Sequence, residues 1–221
     1  MNYLTHKLLN SEELEILRKN LEKDSLVWEN GKLTAGKHAA KEKNNLQLRR
    51  DSDLSIKFSG LITKKILSNE LIKSFALPKK IHGTIFSKST SGMKYGRHID
   101  NAYMSSGRAD LSFTVFLNCK NKYEGGALLI ESLNSEEKFK LDAGEIIIYP
   151  STYLHSVEKV IDGERLVFIG WIESYVKSIE EREYLFDLDA AARSLLAKYG
   201  RSDEVDLIFK SYSNLLRRLG S

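Results

Sequence analysis

The sequence predicts a mainly β protein with flanking helices, an α+β chain whose core is a double-stranded β-helix, or jelly roll. Two observations carry that prediction. Eight short strand-like segments fall within roughly 90 residues from Ile81 to Glu173, parted by the turn pairs Ser91-Gly92, Gly125-Gly126, Ala143-Gly144 and Asp162-Gly163. On either side of them, apolar residues recur at helical spacing instead.

Taken in order, Asn10 is placed to cap a helix, with Glu13 reaching back as in a capping box, and Leu14, Leu17 and Leu21 form its apolar stripe. Trp28 and the turn pair Asn30-Gly31 end this unit, and the chain from Leu33 to Leu48 is polar, with Gly36, Lys37, His38, Lys41, Lys43, Asn44 and Asn45. A second helix is expected from Asp51 to Ala76 on a stripe of Leu54, Phe58, Leu61 and Ile62, stopped by Pro78. The strands follow as Ile81–Lys88, Lys94–Ile99, Ala109–Asn118, Gly126–Glu131, Lys138–Leu141, Glu145–Tyr149, Tyr153–Val157 and Arg165–Glu173. Ile146–Ile148 and Leu166–Ile172 are apolar on both faces, so their sheet needs a cover on its outer side, and the helices are there to supply it. After Ser174 a helix over Ile179–Tyr199 is expected to bury Tyr184, Leu188, Ala191 and Leu195 and to stop at Gly200. An amphipathic segment, Asp203–Leu219, carries Val205, Ile208, Leu215 and Leu216 and is expected to pack on the barrel or on a second subunit of a homo-oligomer. The chain thus divides into an N-terminal helical and loop segment (1–78), a jelly-roll core (79–176) and a C-terminal helical extension (177–221).

Composition excludes several functions. Hydrophobic residues make up 42% and charged residues 29%, which is ordinary for a globular chain and wrong for a disordered one. No apolar run is long enough to span a membrane, and Met1–His6 lacks the pattern of a signal peptide. Cys119 is the single cysteine, which rules out an internal disulfide and a cysteine zinc site; it reads as a small buried hydrophobe and fits a cytoplasmic location. The net charge of +4 is too small to mark a nucleic-acid binder. Residues 31–50 do carry six Lys/Arg against one Glu, which suits a lid over a site, a solvated loop, or contact with an acidic substrate or RNA; no aromatic side chain interleaves the charges, so a lid or solvated loop is favoured over nucleic acid.

The chemistry concentrates around His98. On an extended chain, residues two apart share a face, so Tyr95-Gly96-Arg97-His98-Ile99-Asp100 presents an imidazole beside a carboxylate. His155, on a later strand, completes a set of two histidines and one carboxylate, the facial triad of non-haem Fe(II) oxygenases. Arg165 follows ten residues on, at the start of an apolar strand. A two-residue hairpin at Asp162-Gly163 would pair it with Val160, which faces away from His155, so parity argues against the hairpin. A corner at which the chain crosses to the opposite sheet, about 10 Å away, lets Arg165 reach in from the far side and grip a carboxylate. Tyr95, Tyr103 and Trp171 read more readily as core than as pocket lining, and Arg97 and Arg108 as solvated charges.

The segments GMKYGRHIDNAYM, ADLSFTVFLN, YEGGALLI, LDAGEIIIYPSTYLHSVEKVIDGERLVFIGWIES and EREYLFDLD resemble the bacterial PKHD-type hydroxylases, relatives of prolyl and lysyl hydroxylases among the Fe(II)- and 2-oxoglutarate-dependent dioxygenases. The resemblance runs over nearly the whole chain, including Lys43-Asn44-Asn45 and the helical tail. It implies iron ligands at His98, Asp100 and His155, with no catalytic residue beyond them, and a 2-oxoglutarate arginine at Arg165. It further implies Fe(II) as metal, 2-oxoglutarate and O2 as co-substrates, and L-ascorbate as reductant. The chain departs from the pattern at Ser89, where relatives carry a tyrosine that bonds the co-substrate, and at Ala127, where they carry an acid. Thr152, Tyr103 and Tyr95 are the candidates to replace that tyrosine. The expected function is hydroxylation of a protein side chain, peptide or small metabolite. The alternatives are a nucleic-acid-modifying oxygenase of the same chemistry and a non-enzymatic jelly-roll binding module. Asp100 argues against a halogenase, because its carboxylate fills the place a chloride would need.

Overall fold

The computed structural model describes residues 3–22, 27–34, 39–132 and 135–221; Gly36, Lys37 and His38 of the expected lid lie outside them. The chain opens with β1 (Leu4–Lys7), α1 (Ser11–Leu21), β2 (Trp28–Asn30), α2 (Ala39–Glu42), β3 (Lys43–Asn44) and β4 (Leu46–Leu48). Helices α3 (Asp53–Ser68) and α4 (Glu70–Ala76) lead into β5 (Pro78–Thr90) and β6 (Lys94–His98). A small hairpin, β7 (Tyr103–Met104) and β8 (Gly107–Arg108), precedes β9 (Leu111–Phe116) and β10 (Tyr123–Gly125). Then come β11 (Leu128–Glu131), β12 (Glu136–Phe139), β13 (Glu145–Pro150), β14 (His155–Val157) and β15 (Val160–Ser174). Helices α5 (Ile179–Tyr199) and α6 (Asp203–Leu219) close the chain.

Two antiparallel sheets face each other. The larger runs β1-β13-β9-β15-β5-β4-β2, with β10 added to β15, and the smaller runs β12-β11-β14-β6-β3. Alternation along the central strands explains why they stack. Phe113, Val115, Ile146, Ile148, Leu166 and Phe168 point outward into a core shared with Leu14, Leu17, Phe58, Ile62 and Ile72 of the helices. Their neighbours Phe116, Ile147 and Val167 point the other way, against Leu128, Ile130 and Phe139 of the smaller sheet. The strands that are apolar on both faces are therefore the ones covered on both sides, as periodicity requires.

The capping box at Asn10 and Glu13 is present, with Glu13 N donating to Asn10 Oδ1 over 2.9 Å and Asn10 N to Glu13 Oε2 over 3.0 Å. The expected helix over Asp51–Ala76 is two helices. Asn69, at φ −81° and ψ 117°, ends α3 and caps α4, its side chain accepting from Ile72 N. The bend turns Ile72 and Ala76 onto the same core as Ile62 and Ile66. The N-terminal segment, expected as helix and loop, also supplies β1 to one edge of the larger sheet, β4 and β2 to the other, and β3 to the smaller sheet. These edge strands have two to four residues each, too short for period-two patterning to register.

On α5 the buried face is Arg182, Leu185, Asp189 and Ala192 rather than the stripe through Tyr184, which is exposed. Two polar residues lie on that face because their bonds are satisfied there. Arg182 donates to the carbonyls of Val176 and Lys177 at 2.7 and 2.8 Å, and Asp189 accepts from Ser74 and Arg193. Tyr212, Leu216 and Leu219 of α6 pack on Leu77, Val176 and Leu185, so the tail does rest on the core.

Asp162-Gly163 is not a hairpin. β14 belongs to the smaller sheet and β15 to the larger, and the chain crosses between them at Glu158–Lys159. Gly163 lies inside β15 opposite Tyr123 at φ +78°, where an added Cβ would come within 2.3 Å of the Lys122 carbonyl oxygen.

Phe168 is fully buried, with ring centroids of Phe86 and Phe113 at 4.7 and 5.9 Å. Phe168→Ala should cost about 3–5 kcal/mol of stability, read as a lower urea midpoint with unchanged slope. A midpoint equal to that of the parent protein would mean the sandwich is not anchored at this ring.

Candidate active site

Antiparallel pairing of β6 with β14 sets His98 directly opposite His155, with ring centroids 4.2 Å apart. The register shifts before the next pair, Val157 with Tyr95. That extra residue on β6 puts Tyr95 and His98, three positions apart, on one face, and their rings stack at 3.7 Å. Asp100 lies just past the end of β6, so strand alternation does not fix it. Its Oδ2 instead accepts from Ser112 Oγ at 2.6 Å, and Ser112 is in turn 2.7 Å from Ser151 Oγ. His155 Nε2 is 3.7 Å from Asp100 Oδ2, and ligand atoms of all three side chains lie within 4.8 Å of one another.

The donor set suits a divalent metal that accepts nitrogen and oxygen. His98 Nδ1 faces the Gly96 carbonyl at 2.8 Å and His155 Nδ1 the Tyr153 carbonyl at 3.0 Å. With each Nδ1 protonated toward a carbonyl, both Nε2 lone pairs are free for a metal. Burial, and then the facing His155, pull the His98 pKa down to about 4, so its ring is neutral at pH 7. A neutral imidazole is the form that ligates.

The cluster opens into a cavity of about 980 Å³ between the sheets. Arg165, Val167, Ile169 and Trp171 all line it from β15, and Ser87, Ser89, Ser112 and Thr114 from the neighbouring strands β5 and β9. On β5 and β9 the inner face of the larger sheet is therefore small and polar at the site, and it becomes apolar toward Phe116 and Ile147. Arg165 is 4% exposed, its guanidinium 5.6 Å from the Phe116 ring, and its Nε has no hydrogen-bond partner. Burial lowers its pKa, opposed by the nearby Tyr123 and Tyr149. A buried cation with an orphaned N–H at a cavity wall is the recognition element for a carboxylate.

Of the tyrosine substitutes, Tyr95 lines the cavity beside His98, and Tyr103 lines its rim at 74% exposure. Thr152 is exposed and is not among the cavity residues. Trp171 lines the cavity too, so all three aromatics read as core belong to it in part. Arg97 is exposed as expected and paired with Glu131 at 2.6 Å, but Arg108 is not a solvated charge. It is 14% exposed, bonded to Asp110 at 2.7 Å and to the Ser174 carbonyl at 2.7 Å, because Asp110 and Glu173 converge on it.

Four cavity residues were not among the site residues expected from the sequence: Ser112, Tyr149, Lys43 and Arg50. Tyr149 is buried, its ring edge-on to His155 at 5.4 Å, and burial followed by Asp100 raises its pKa well above the ordinary phenol range. A repeated small-polar alternation, Ser87/Ser89 and Ser112/Thr114, was the one available hint of a polar inner face.

Residues 84–173 match the 2OG-Fe(II) oxygenase superfamily, and residues 180–220 match the PKHD-type hydroxylase C-terminal domain. A PKHD-type hydroxylase of Prochlorococcus marinus strain MIT 9215 is 76% identical over the full length of both chains, and one from strain MIT 9211 is 57% identical, again over both full lengths. The chain belongs to the PKHD-type hydroxylases. It is a 2-oxoglutarate-dependent dioxygenase, with Fe(II) as metal and 2-oxoglutarate and O2 as co-substrates. The same jelly roll occurs in a Pseudomonas putida prolyl-4-hydroxylase, with a TM-score of 0.55 and 16% identity over 78% of this chain and 92% of that one. A Trichoplax adhaerens prolyl hydroxylase matches at a TM-score of 0.56 and 17% identity, over 83% of this chain and 86% of that one. Among the described residues, no helix is long and apolar enough to cross a membrane.

Ser112→Ala removes the hydrogen bond that holds Asp100. Metal affinity should fall by on the order of 10- to 100-fold with little change in stability. Competition with a coloured chelator measures this, and an affinity equal to that of the parent protein would show that Asp100 needs no such support.

Proposed function

We propose that this hydroxylase binds iron through His98, Asp100 and His155, and that Arg165 holds the distal carboxylate of 2-oxoglutarate. The observation that carries the reading is the convergence of these three side chains, their ligand atoms within 4.8 Å of one another, on the cavity that also receives the orphaned Nε of Arg165. Iron in that cluster supplies O2 activation: substrate C–H, 2-oxoglutarate and O2 become substrate C–OH, succinate and CO2.

The protein's own part is positioning. His98, Asp100 and His155 would hold the metal with three donors, a set that would leave positions for co-substrate and O2. Ser112 fixes the carboxylate, and the Gly96 and Tyr153 carbonyls fix the ring tautomers. Arg165 neutralises the far end of the co-substrate in a buried setting, where its charge counts for more than it would in water. Tyr149, beside both Arg165 and His155, takes the place of the tyrosine missing at Ser89. L-Ascorbate is the reductant that keeps the metal ferrous. The substrate is a protein side chain, peptide or small metabolite acted on in a reducing, cytoplasmic setting, which the single half-buried Cys119 suits.

Two measurements check this. His98→Ala and Asp100→Ala should abolish metal binding and succinate release; turnover equal to the parent's in either would refute the ligand set. Arg165→Met should weaken 2-oxoglutarate binding by on the order of 10- to 100-fold, the worth of a charge-assisted bond, while metal affinity holds. Unchanged co-substrate affinity would take Arg165 out of the site.

A further inference from the structure

We infer that α6 is a self-docking face: two copies of this chain pair their α6 helices antiparallel, about a two-fold axis that passes at Ser211.

α6 has two working sides. On one, Val205 is buried, and Tyr212, Leu216 and Leu219 pack against Leu77, Val176 and Leu185 of their own chain. On the other, Glu204, Leu207, Ser211, Leu215 and Arg218 are all exposed, with Leu207 at 58% and Leu215 at 39%. Leu207 and Leu215 stand four residues to either side of Ser211, and Glu204 and Arg218 seven residues to either side. At 3.6 residues per turn these offsets keep all five within about 40° of Ser211 around the helix axis. They form one seam along the exposed side.

That seam is complementary to its own reverse. Laid antiparallel on a second copy, Ser211 faces Ser211, each Leu207 faces a Leu215, and each Glu204 faces an Arg218. A two-fold axis makes every such contact twice. Four leucines then close over a crossing that serine, being small, allows to be tight, and an ion pair closes each end. A parallel pairing would instead set Glu204 against Glu204 and Arg218 against Arg218, so charge selects the antiparallel one.

The chain itself makes no use of these ends. Among the described residues, the ion pair that α6 forms joins Asp206 to Arg201 at 2.9 Å, and neither Glu204 nor Arg218 has a charged partner. The helix dipole accounts for an acid at the start of a helix and a base at its end. It does not account for two exposed leucines at matching distances on the same line. Near the start of α6, Leu195, Leu196 and Tyr199 at the end of α5 are exposed as well, so part of the stripe expected to be buried on α5 is apolar surface left over beside the seam. No residue of α5 or α6 lines the cavity, so the docked face takes nothing from the active site.

Sedimentation equilibrium on the full chain tests the inference. The parent protein should run as a dimer whose dissociation constant rises with added salt. Glu204→Arg and Arg218→Glu should each weaken the dimer by on the order of 10-fold, since each turns two attractions into two repulsions. The double variant, with both charges exchanged, should regain most of the parent's affinity. Leu207→Asp should be monomeric with an unchanged urea midpoint, because Leu207 is exposed in the single chain. Orientation is read by mild oxidation: Ser211→Cys should cross-link two copies, and Lys210→Cys, off the seam, should not. A parent protein that is monomeric at every concentration overturns the inference. So does a dimer indifferent to Glu204→Arg and Leu207→Asp, because it would then be built on another surface. A double variant no tighter than either single one defeats the antiparallel pairing of Glu204 with Arg218.

Discussion

The site depends on one pairing register, that of β6 against β14. His98 and His155 are 57 positions apart and meet only because the two strands pair with these residues directly opposed. A slip of one residue would turn one imidazole to the other face of the sheet. β14 is held from its other side by β11, which sets Ile130 opposite His155 and packs Leu128 and Ile130 into the inter-sheet core. The apolar side of the sandwich thus fixes the geometry of its polar end.

The polar end is built by withholding large side chains rather than by adding special ones. Outward-facing positions of the central strands are Phe, Val, Ile and Leu, and they bury against helices α1, α3 and α4. The inward positions of β5 and β9 near the site are Ser and Thr, and a cavity of about 980 Å³ is left open between the sheets. Groups facing that space are partly dehydrated, which keeps His98 neutral and leaves Arg165 with an unmet hydrogen bond. Both effects favour ligands that are charged and oxygen-rich, because the cost of burying the protein's own groups has already been met on folding.

Legibility in the sequence followed the range of the interaction. Caps and long apolar periodicities are local, so Asn10, the eight core strands and the two C-terminal helices could be read directly. Parity is local too, and it excluded the Asp162-Gly163 hairpin before any coordinates did. The break at Asn69 was hidden because asparagine is tolerated inside a helix, and only the need to aim Ile72 and Ala76 at the core selects its capping role. The stripe on α5 misled because apolar residues were counted, whereas Arg182 and Asp189 are buried by hydrogen bonds to α4 and to the chain before α5.

The sequence alone determined that this is a helix-covered jelly roll and singled out His98, Asp100, His155 and Arg165 as its candidate site, since residue type and strand parity are properties of the chain itself. Only the tertiary structure decided which strand register brings the histidines together, that Ser112 rather than strand alternation holds Asp100, and that Lys43 and Arg50 join the cavity wall. Those outcomes come from pairing between strands distant in sequence, and no local pattern encodes which edge a two-residue strand will join.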